Sequence, residues 1–194
     1  ADVLAAATVV CGCGGGDAVR AVLPRLVSLA GRLVLDADAL NAIAADPGLQ
    51  ASLRTRAERG HDTVLTPHPL EAARLLGCSS AEVQADRLRA ARALVDRYAS
   101  IVVLKGSGSV IAGPGRMPAI SATGNAALAT AGTGDVLAGW LGGSWAAAAD
   151  RISAFDVALR AVVEHGAAAE PQAPGALRAG DLIEVLYRRL RSLD

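Results

Sequence analysis

The chain has 194 residues, 52% of them apolar, with 19 basic against 19 acidic side chains and 21 glycines, the profile of a soluble globular domain rather than a disordered or collagen-like chain. A net charge of zero without a basic stripe sets aside nucleic acid and anionic membrane surfaces as partners. No apolar run reaches the roughly 18 residues of a membrane span, and Ala1 is not followed by a charged-then-apolar leader, so the expectation is a cytoplasmic protein with no membrane partner.

In chain order, the β-branched run Thr8 to Cys11 breaks into Gly12-Cys13-Gly14-Gly15-Gly16, after which Ala18, Val22, Leu26 and Leu29 recur at helical spacing. Arg32 to Leu35 reads as a buried strand that delivers Asp36-Ala37-Asp38 at its carboxyl end. Helices are predicted over Ala39 to Ala45 and Leu49 to Glu58, separated by Asp46-Pro47-Gly48. Thr63 to Thr66 is a strand ended by Pro67-His68-Pro69, and Leu70 to Leu76 a helix stopped by Gly77. Ser79 and Glu82 have capping-box spacing ahead of a long amphipathic helix running to about Tyr98. Ile101 to Leu104 is a strand ending at Lys105-Gly106, and Val110 to Ala112 with Pro118 to Ile120 forms a hairpin around Gly113-Pro114-Gly115. Further helices run from Gly132 to about Ala149, from a Ser153 cap to about Ala169, and, after a loop at Pro171 to Gly175, from Asp181 to Leu190.

Apolar strands alternating with helices indicate an α/β fold, a mostly parallel sheet with helices on both faces, and no linker or repeat divides residues 1–194 into more than one domain. Ligands in such folds sit beyond the carboxyl ends of the strands. The loops Gly12 to Gly16, Asp36 to Asn41, Thr66 to Glu71 and Lys105 to Ser109 all follow strands and are expected to converge on one rim.

Composition singles out some of these loops. Every basic residue except Lys105 is arginine, and Asn41 and Asn125 are the only asparagines. Cys11, Cys13 and Cys78 match neither a disulfide framework nor a zinc pair and read as small apolar residues. The Gly12 to Gly16 turn departs from a dinucleotide-binding fingerprint, because Asp17 stands where the third glycine belongs. Lys105-Gly106-Ser107-Gly108-Ser109 is not a Walker loop, since its Lys precedes the glycines. Such a segment suits the phosphates or sugar of a nucleotide, or is a solvated turn.

Gly132-Thr133-Gly134-Asp135 is more specific. Its glycines expose backbone N–H groups at a helix N-terminus, where the helix dipole favours an anion. Asp135, in the first turn, could deprotonate a hydroxyl attacking a phosphoryl group held there, or could simply cap the helix. His68, fixed between two prolines, is either a ligand contact at the rim or a structural histidine. His61 and His165 read as a surface-loop and a helix-face residue.

Four segments in order, Leu35 to Asn41, Leu65 to Gly77, Val103 to Ile111, and Thr123-Gly124-Asn125 through Ala131 to Gly139, resemble the ADP/ATP-dependent NAD(P)H-hydrate dehydratases of the ribokinase-like superfamily. The resemblance implies repair of the S epimer of hydrated NADH or NADPH. The hydrate hydroxyl is phosphorylated and then lost as phosphate, with ADP giving AMP and Mg2+ assisting. It implies that Lys105, Gly106, Ser107, Gly108, Ser109, Asn125, Gly132, Thr133 and Gly134 bind ADP or ATP. His68 and Asp135 would contact the hydrated cofactor, with Asp135 as the base and Gly14 and Gly16 beside the substrate. No protein ligand to a metal is expected. Family domains carry further strands ahead of the segment resembling Asp2 to Cys11, so the chain corresponds to about the last two thirds of that domain, and a homo-oligomer is expected to cover the bared surface. Another ribokinase-like small-molecule kinase, or a non-catalytic fragment of such a domain, is the alternative.

Overall fold

Side chains along the strands leave the backbone on alternate faces, and this alternation builds two cores. Leu33, Leu35, Leu65, Val102 and Leu104 enter one apolar cluster, while Val34, Val64, Ile101 and Val103 enter another. The computed structural model describes residues 2–149, 151–170 and 177–191. Its strands are β1 (Thr8–Cys11), β2 (Arg32–Leu35), β3 (Thr63–Leu65), β4 (Ile101–Leu104), β5 (Val110–Ala112) and β6 (Ala119–Ile120), which lie side by side in sequence order. The first four are mutually parallel, and β5 runs antiparallel to both its neighbours, β4 and β6. The expected mostly parallel α/β sheet is the one observed.

Helices α1 (Asp2–Ala6), α2 (Ala18–Leu29), α3 (Ala37–Ala45), α4 (Pro47–Glu58), α5 (Pro69–Leu76), α6 (Ser80–Ala85) and α7 (Arg87–Tyr98) precede β4. After β6 come a 3-10 turn (Ala126–Leu128), α8 (Thr133–Ala147), α9 (Ala154–Ala169) and α10 (Ala179–Arg191). Leu23 of α2, Ile43 of α3, Leu53 of α4, Leu75 of α5 and Tyr98 of α7 close one face of the sheet. Leu141 and Trp145 of α8, with Phe155 and Val162 of α9, close the other. Fully burying each such side chain contributes about 2 kcal/mol relative to leaving it in water. Helix α10 docks outside this second layer through Leu182 and Leu186. Among the described residues no helix is long and apolar enough to cross a membrane.

One predicted element divides. The helix expected from Ser79 to Tyr98 stops after Ala85, where Asp86 adopts an extended backbone (φ −148°, ψ 86°) and restarts it by accepting a hydrogen bond from the Arg89 N–H at 2.9 Å. Short acidic side chains compete in this way with the helical backbone pattern, so Asp86 is a second N-cap inside an otherwise continuous periodicity. The Ser79–Glu82 capping box forms as predicted, and Gly77 takes the left-handed conformation that ends α5. The predicted loop at Pro171 to Gly175 lies outside the described residues.

Below the sheet, a buried arginine replaces missing backbone partners. Arg56 of α4 is 2% exposed and donates from Nε to Thr63 Oγ1 at 2.9 Å, and from Nη2 to the carbonyls of Gly31 at 3.0 Å and Asp62 at 3.1 Å. Its Nη1 donates to the Ala30 and Val27 carbonyls. One guanidinium thus satisfies the C-terminal end of α2 and the entries to β2 and β3. Arg56→Ala would strand these carbonyls, and we expect it to lower unfolding free energy in urea by about 3 kcal/mol. Arg56→Lys, with a single ammonium, should recover less than half of the loss.

Candidate functional site

The parallel strands bring their carboxyl ends to one rim, and backbone hydrogen bonds weld the loops that follow. The Asp36 N–H donates to the Cys11 carbonyl at 3.0 Å, the Thr66 N–H to Leu35 at 3.0 Å, and the Lys105 N–H to Pro67 at 2.8 Å. Gly12 (φ 123°) is required here, because a Cβ would lie 1.8 Å from the Asp36 carbonyl oxygen. The Gly-rich turn is thereby pressed onto the end of β2, and the Gly16 N–H donates to Asp38 Oδ2 at 2.8 Å.

At the centre of the rim Lys105 Nζ meets Asp36 Oδ1 at 2.6 Å, with Asp36 only 1% exposed. The Cys13 thiol approaches Asp36 Oδ2 at 3.8 Å as donor, and the ligand-type atoms of Cys13, Asp36 and Asp135 all lie within 4.8 Å of one another. Burial first, then the charges of Asp36 and Asp135, push the Cys13 thiol up to about 12. It is therefore a neutral donor between two carboxylates rather than a thiolate. Asp135 itself is exposed and sits in the first turn of α8.

This trio does not suit a resident Mg2+. That ion prefers an octahedron of hard oxygen ligands, while the trio offers a protonated thiol and a carboxylate already bound to an ammonium. Asp135 is the one member of the trio with neither restriction.

Beside Lys105 opens a cavity of about 370 Å³. One wall is the β4–β5 turn, with Lys105, Gly106, Ser107, Gly108 and Ser109; the opposite wall includes Asn125, Thr133 and Gly134. A Cβ on Gly134 would lie 3.4 Å from Lys105 Nζ, so glycine brings the first turn of α8 directly against the ammonium. The N-cap is Gly132 (φ 85°), which has no side chain to bind the first turn; the Thr133 N–H donates to the Thr130 carbonyl at 3.3 Å, and those of Gly134 and Asp135 are left to a ligand.

Of the predicted nucleotide residues, all except Gly132 line this cavity, and Gly132 stands just outside as the helix cap. Asn125 also has a local duty. Its Oδ1 accepts from the Ala127 N–H at 2.9 Å and its Nδ2 donates to the Ala169 carbonyl at 3.1 Å, fixing the wall against α9.

The predicted substrate residues lie outside this cavity. Gly14 and Gly16 occupy the exposed Gly-rich turn beside Cys13, and Asp135 borders a separate groove with Tyr187 and Ile183 of α10. His68 forms a capping box. Its Nδ1 accepts from the Leu70 N–H at 3.1 Å, Glu71 Oε2 accepts from the His68 N–H at 2.8 Å, and Nε2 lies 3.2 Å from Glu71 Oε1. The imidazole is thus committed to the start of α5 while remaining half exposed at the rim.

Three further residues shape the cavity. His165, expected on a helix face, is buried and lines it, with Nε2 donating to the Thr133 carbonyl at 2.9 Å; burial lowers its pKa, so the ring is neutral near pH 7. Thr123 packs against Gly166, where a Cβ would approach the Thr123 hydroxyl to 2.3 Å. Arg87 lies beneath the β4–β5 turn, donating from Nη2 to the Leu104 carbonyl at 3.0 Å and from Nη1 to the Ser107 carbonyl. The signal for Arg87 was Asp86, a capping residue type immediately before it.

The NAD(P)H-hydrate dehydratase family model matches residues 2–187. The ADP-dependent (S)-NAD(P)H-hydrate dehydratase of Neisseria meningitidis is 41% identical over 162 residues, covering 82% of this chain and 52% of that protein. The bifunctional NAD(P)H-hydrate repair enzyme of Escherichia coli is 42% identical over 160 residues, 80% of this chain and 28% of the relative. The chain thus spans about half or less of the length of these curated relatives. The crystal structure of the ADP/ATP-dependent NAD(P)H-hydrate dehydratase from Bacillus subtilis, co-crystallised with ATP and Mg2+, superposes with a TM-score of 0.76 at 31% identity, over 92% of this chain and 62% of that one. Its ribokinase-like sheet and the matched family model agree with the motifs from Leu35 to Gly139: the chain belongs to the NAD(P)H-hydrate dehydratase family.

Proposed function

We propose that this chain carries the nucleotide-dependent dehydration of (S)-NAD(P)H hydrate, returning NADH or NADPH while ADP is converted to AMP and phosphate. The observation that carries the reading is the cavity between the Lys105–Ser109 turn and the uncapped N-terminus of α8, with Gly134 against Lys105 Nζ. It pairs a pocket suited to adenosine with an ammonium and backbone N–H groups suited to phosphates. The Neisseria relative is named as ADP-dependent and the Bacillus one as ADP/ATP-dependent, so ADP is the nucleotide common to both names.

In this reading Asp135 takes the proton of the hydrate hydroxyl as that oxygen attacks the terminal phosphorus of ADP. The bond from phosphorus to the AMP oxygen breaks, and its electron pair stays on AMP. Phosphate then leaves with the electrons of the carbon–oxygen bond, and loss of a ring proton restores the double bond. Hydrate plus ADP therefore balances NAD(P)H plus AMP plus phosphate. The chain contributes positioning and charge: α8 and Lys105 hold phosphates, Asp135 holds a proton, and His68 and the turn at Gly14 and Gly16 border the substrate. Mg2+ would accompany the nucleotide and offset phosphate charge with no protein carboxylate committed to it, so that Asp135 stays available as the base.

We further take residues 1–194 as one domain acting in the cytoplasm, where its adenine nucleotide and pyridine cofactor substrates are soluble. Copies of the chain are expected to associate, because β1 is an edge strand with Val10 37% exposed and α10 presents Ile183, Tyr187 and Leu190 to solvent. Light scattering at micromolar concentration should give a mass above that of one chain; a monodisperse monomer would refute association.

The activity itself is tested by mixing the protein with hydrated NADH and ADP or ATP and following the absorbance of NADH. The reading expects nucleotide-dependent recovery, and none from either nucleotide would overturn it. Asp135→Asn should slow recovery on the order of 100-fold or more while ADP affinity stays within a few-fold, since the helix N–H groups remain. Undiminished turnover in this variant would leave Asp135 without a catalytic role. Lys105→Arg should weaken ADP binding, because Gly134 and Asp36 leave room for a compact ammonium and not for a planar guanidinium. Equal affinity in calorimetry would count against the Lys105 assignment.

A further inference from the structure

The turn from Lys105 to Ser109 joins antiparallel β4 and β5, and two of its five residues are glycines at positive φ, Gly106 (146°) and Gly108 (64°). Such a segment has many accessible conformations, only some of which present a phosphate-binding backbone. It needs something to hold it. Within the turn the fixing contacts are the Lys105–Asp36 pair and a bond from the Ser109 hydroxyl to the Gly106 carbonyl at 3.2 Å. Its two ends are also tied by backbone bonds, the Lys105 N–H to the Pro67 carbonyl at 2.8 Å and the Ser121 N–H to the Ser109 carbonyl at 2.9 Å, and the restraint on its middle comes from α7.

Arg87 is the first residue of α7, placed there by the break at Asp86. Its Nη2 and Nη1 donate to the carbonyls of Leu104 and Ser107, which bracket Lys105 and Gly106. The guanidinium also fills the space that a side chain at residue 106 would need: a Cβ on Gly106 would lie 2.8 Å from Nη2. A trans peptide directs its C=O and N–H oppositely, and the described backbone has no cis bonds. With the Ser107 carbonyl drawn toward Arg87, the Gly108 N–H must point away from Arg87. Gly108 is one of the residues that line the nucleotide cavity.

We infer that Arg87 is a positioning residue for nucleotide binding, which fixes the Lys105–Ser109 turn in the peptide orientation that presents the Gly108 N–H to ADP. It acts through the turn and lies outside the residues that line the cavity. The inference rests on the nucleotide reading of that cavity. Its energetic signature differs from that of a structural arginine. The Arg87 Nε is buried without a partner, so replacing the guanidinium by an apolar stem removes one unmet donor along with two bonds. Overall stability should change little, while the population of the binding-competent turn falls.

The test compares the parent chain, Arg87→Met and Arg87→Lys by calorimetric ADP titration, by amide hydrogen exchange of the peptide spanning residues 101–112, and by urea unfolding. If the turn of Arg87→Met is competent about a tenth of the time, ADP Kd and KM rise about tenfold, with a smaller change in kcat. Exchange in the turn should accelerate in the free protein, with an unchanged urea midpoint. Arg87→Lys, which can restore one of the two bonds, should lie between the other two. ADP binding by the parent together with equal affinity and equal exchange in Arg87→Met overturns the role of Arg87 and leaves the nucleotide reading standing. Failure of the parent to bind ADP overturns that reading and this inference together. If Arg87→Met does not fold, Arg87→Lys decides: parent-like Kd and exchange in a folded Lys variant refute the positioning role.

Discussion

The charge pair between Lys105 and Asp36 is the constraint on which the rim depends. It reaches across β3 to join the ends of β2 and β4, at 2.6 Å and with the carboxylate almost wholly buried. Charges so removed from water survive only when paired, and losing one partner of such a pair costs roughly 3–5 kcal/mol. Everything around it is fitted to that geometry. Gly12 lets the first turn lie on the Asp36 carbonyl, Gly134 lets the N-terminus of α8 touch the ammonium, and Cys13 stays a thiol because it is part-buried and, second, faces carboxylates. The same lysine that closes this pair forms the edge of the cavity proposed for the nucleotide, so fold and candidate site share one interaction.

The two walls of the cavity divide the work by secondary structure. The β4–β5 turn contributes flexible backbone restrained from below by Arg87, while α8 contributes a rigid array of N–H groups and the helix dipole. Behind α8, the neutral His165 ties the Thr133 carbonyl to α9, and Gly166 allows α9 to close on Thr123. Asp135, in the first turn of α8 but outside the cavity lining, lies within 4.8 Å of Asp36 and of Cys13 in the Gly-rich turn.

Much of this was legible in the sequence because it is local. Apolar runs of three or four residues gave most of the strands, Gly77 and Ser79 gave helix boundaries, and the glycines around Thr133 marked the start of α8. What escaped depends on partners distant in the chain. Asp86 divides a helix whose apolar periodicity is unbroken, and only the meeting of Arg87 with Leu104 and Ser107 explains why the division is useful. His165 is a lone histidine on a helix until α9 packs on α8, and His68 reads equally as a rim contact or a structural histidine until Glu71 closes its capping box. Asp36 was visible as part of an acidic loop, yet its burial against the single lysine appears only when β2 and β4 are placed in one sheet.

The central claim is that one nucleotide spans both walls of the cavity. A crystal structure of the chain with ADP tests it directly. The account predicts the adenosine between the Lys105–Ser109 turn and the wall containing Asn125 and His165, with the terminal phosphate at the N–H groups of Gly134 and Asp135 beside Lys105 Nζ. ADP bound elsewhere, or with its phosphates turned away from the start of α8, would contradict it.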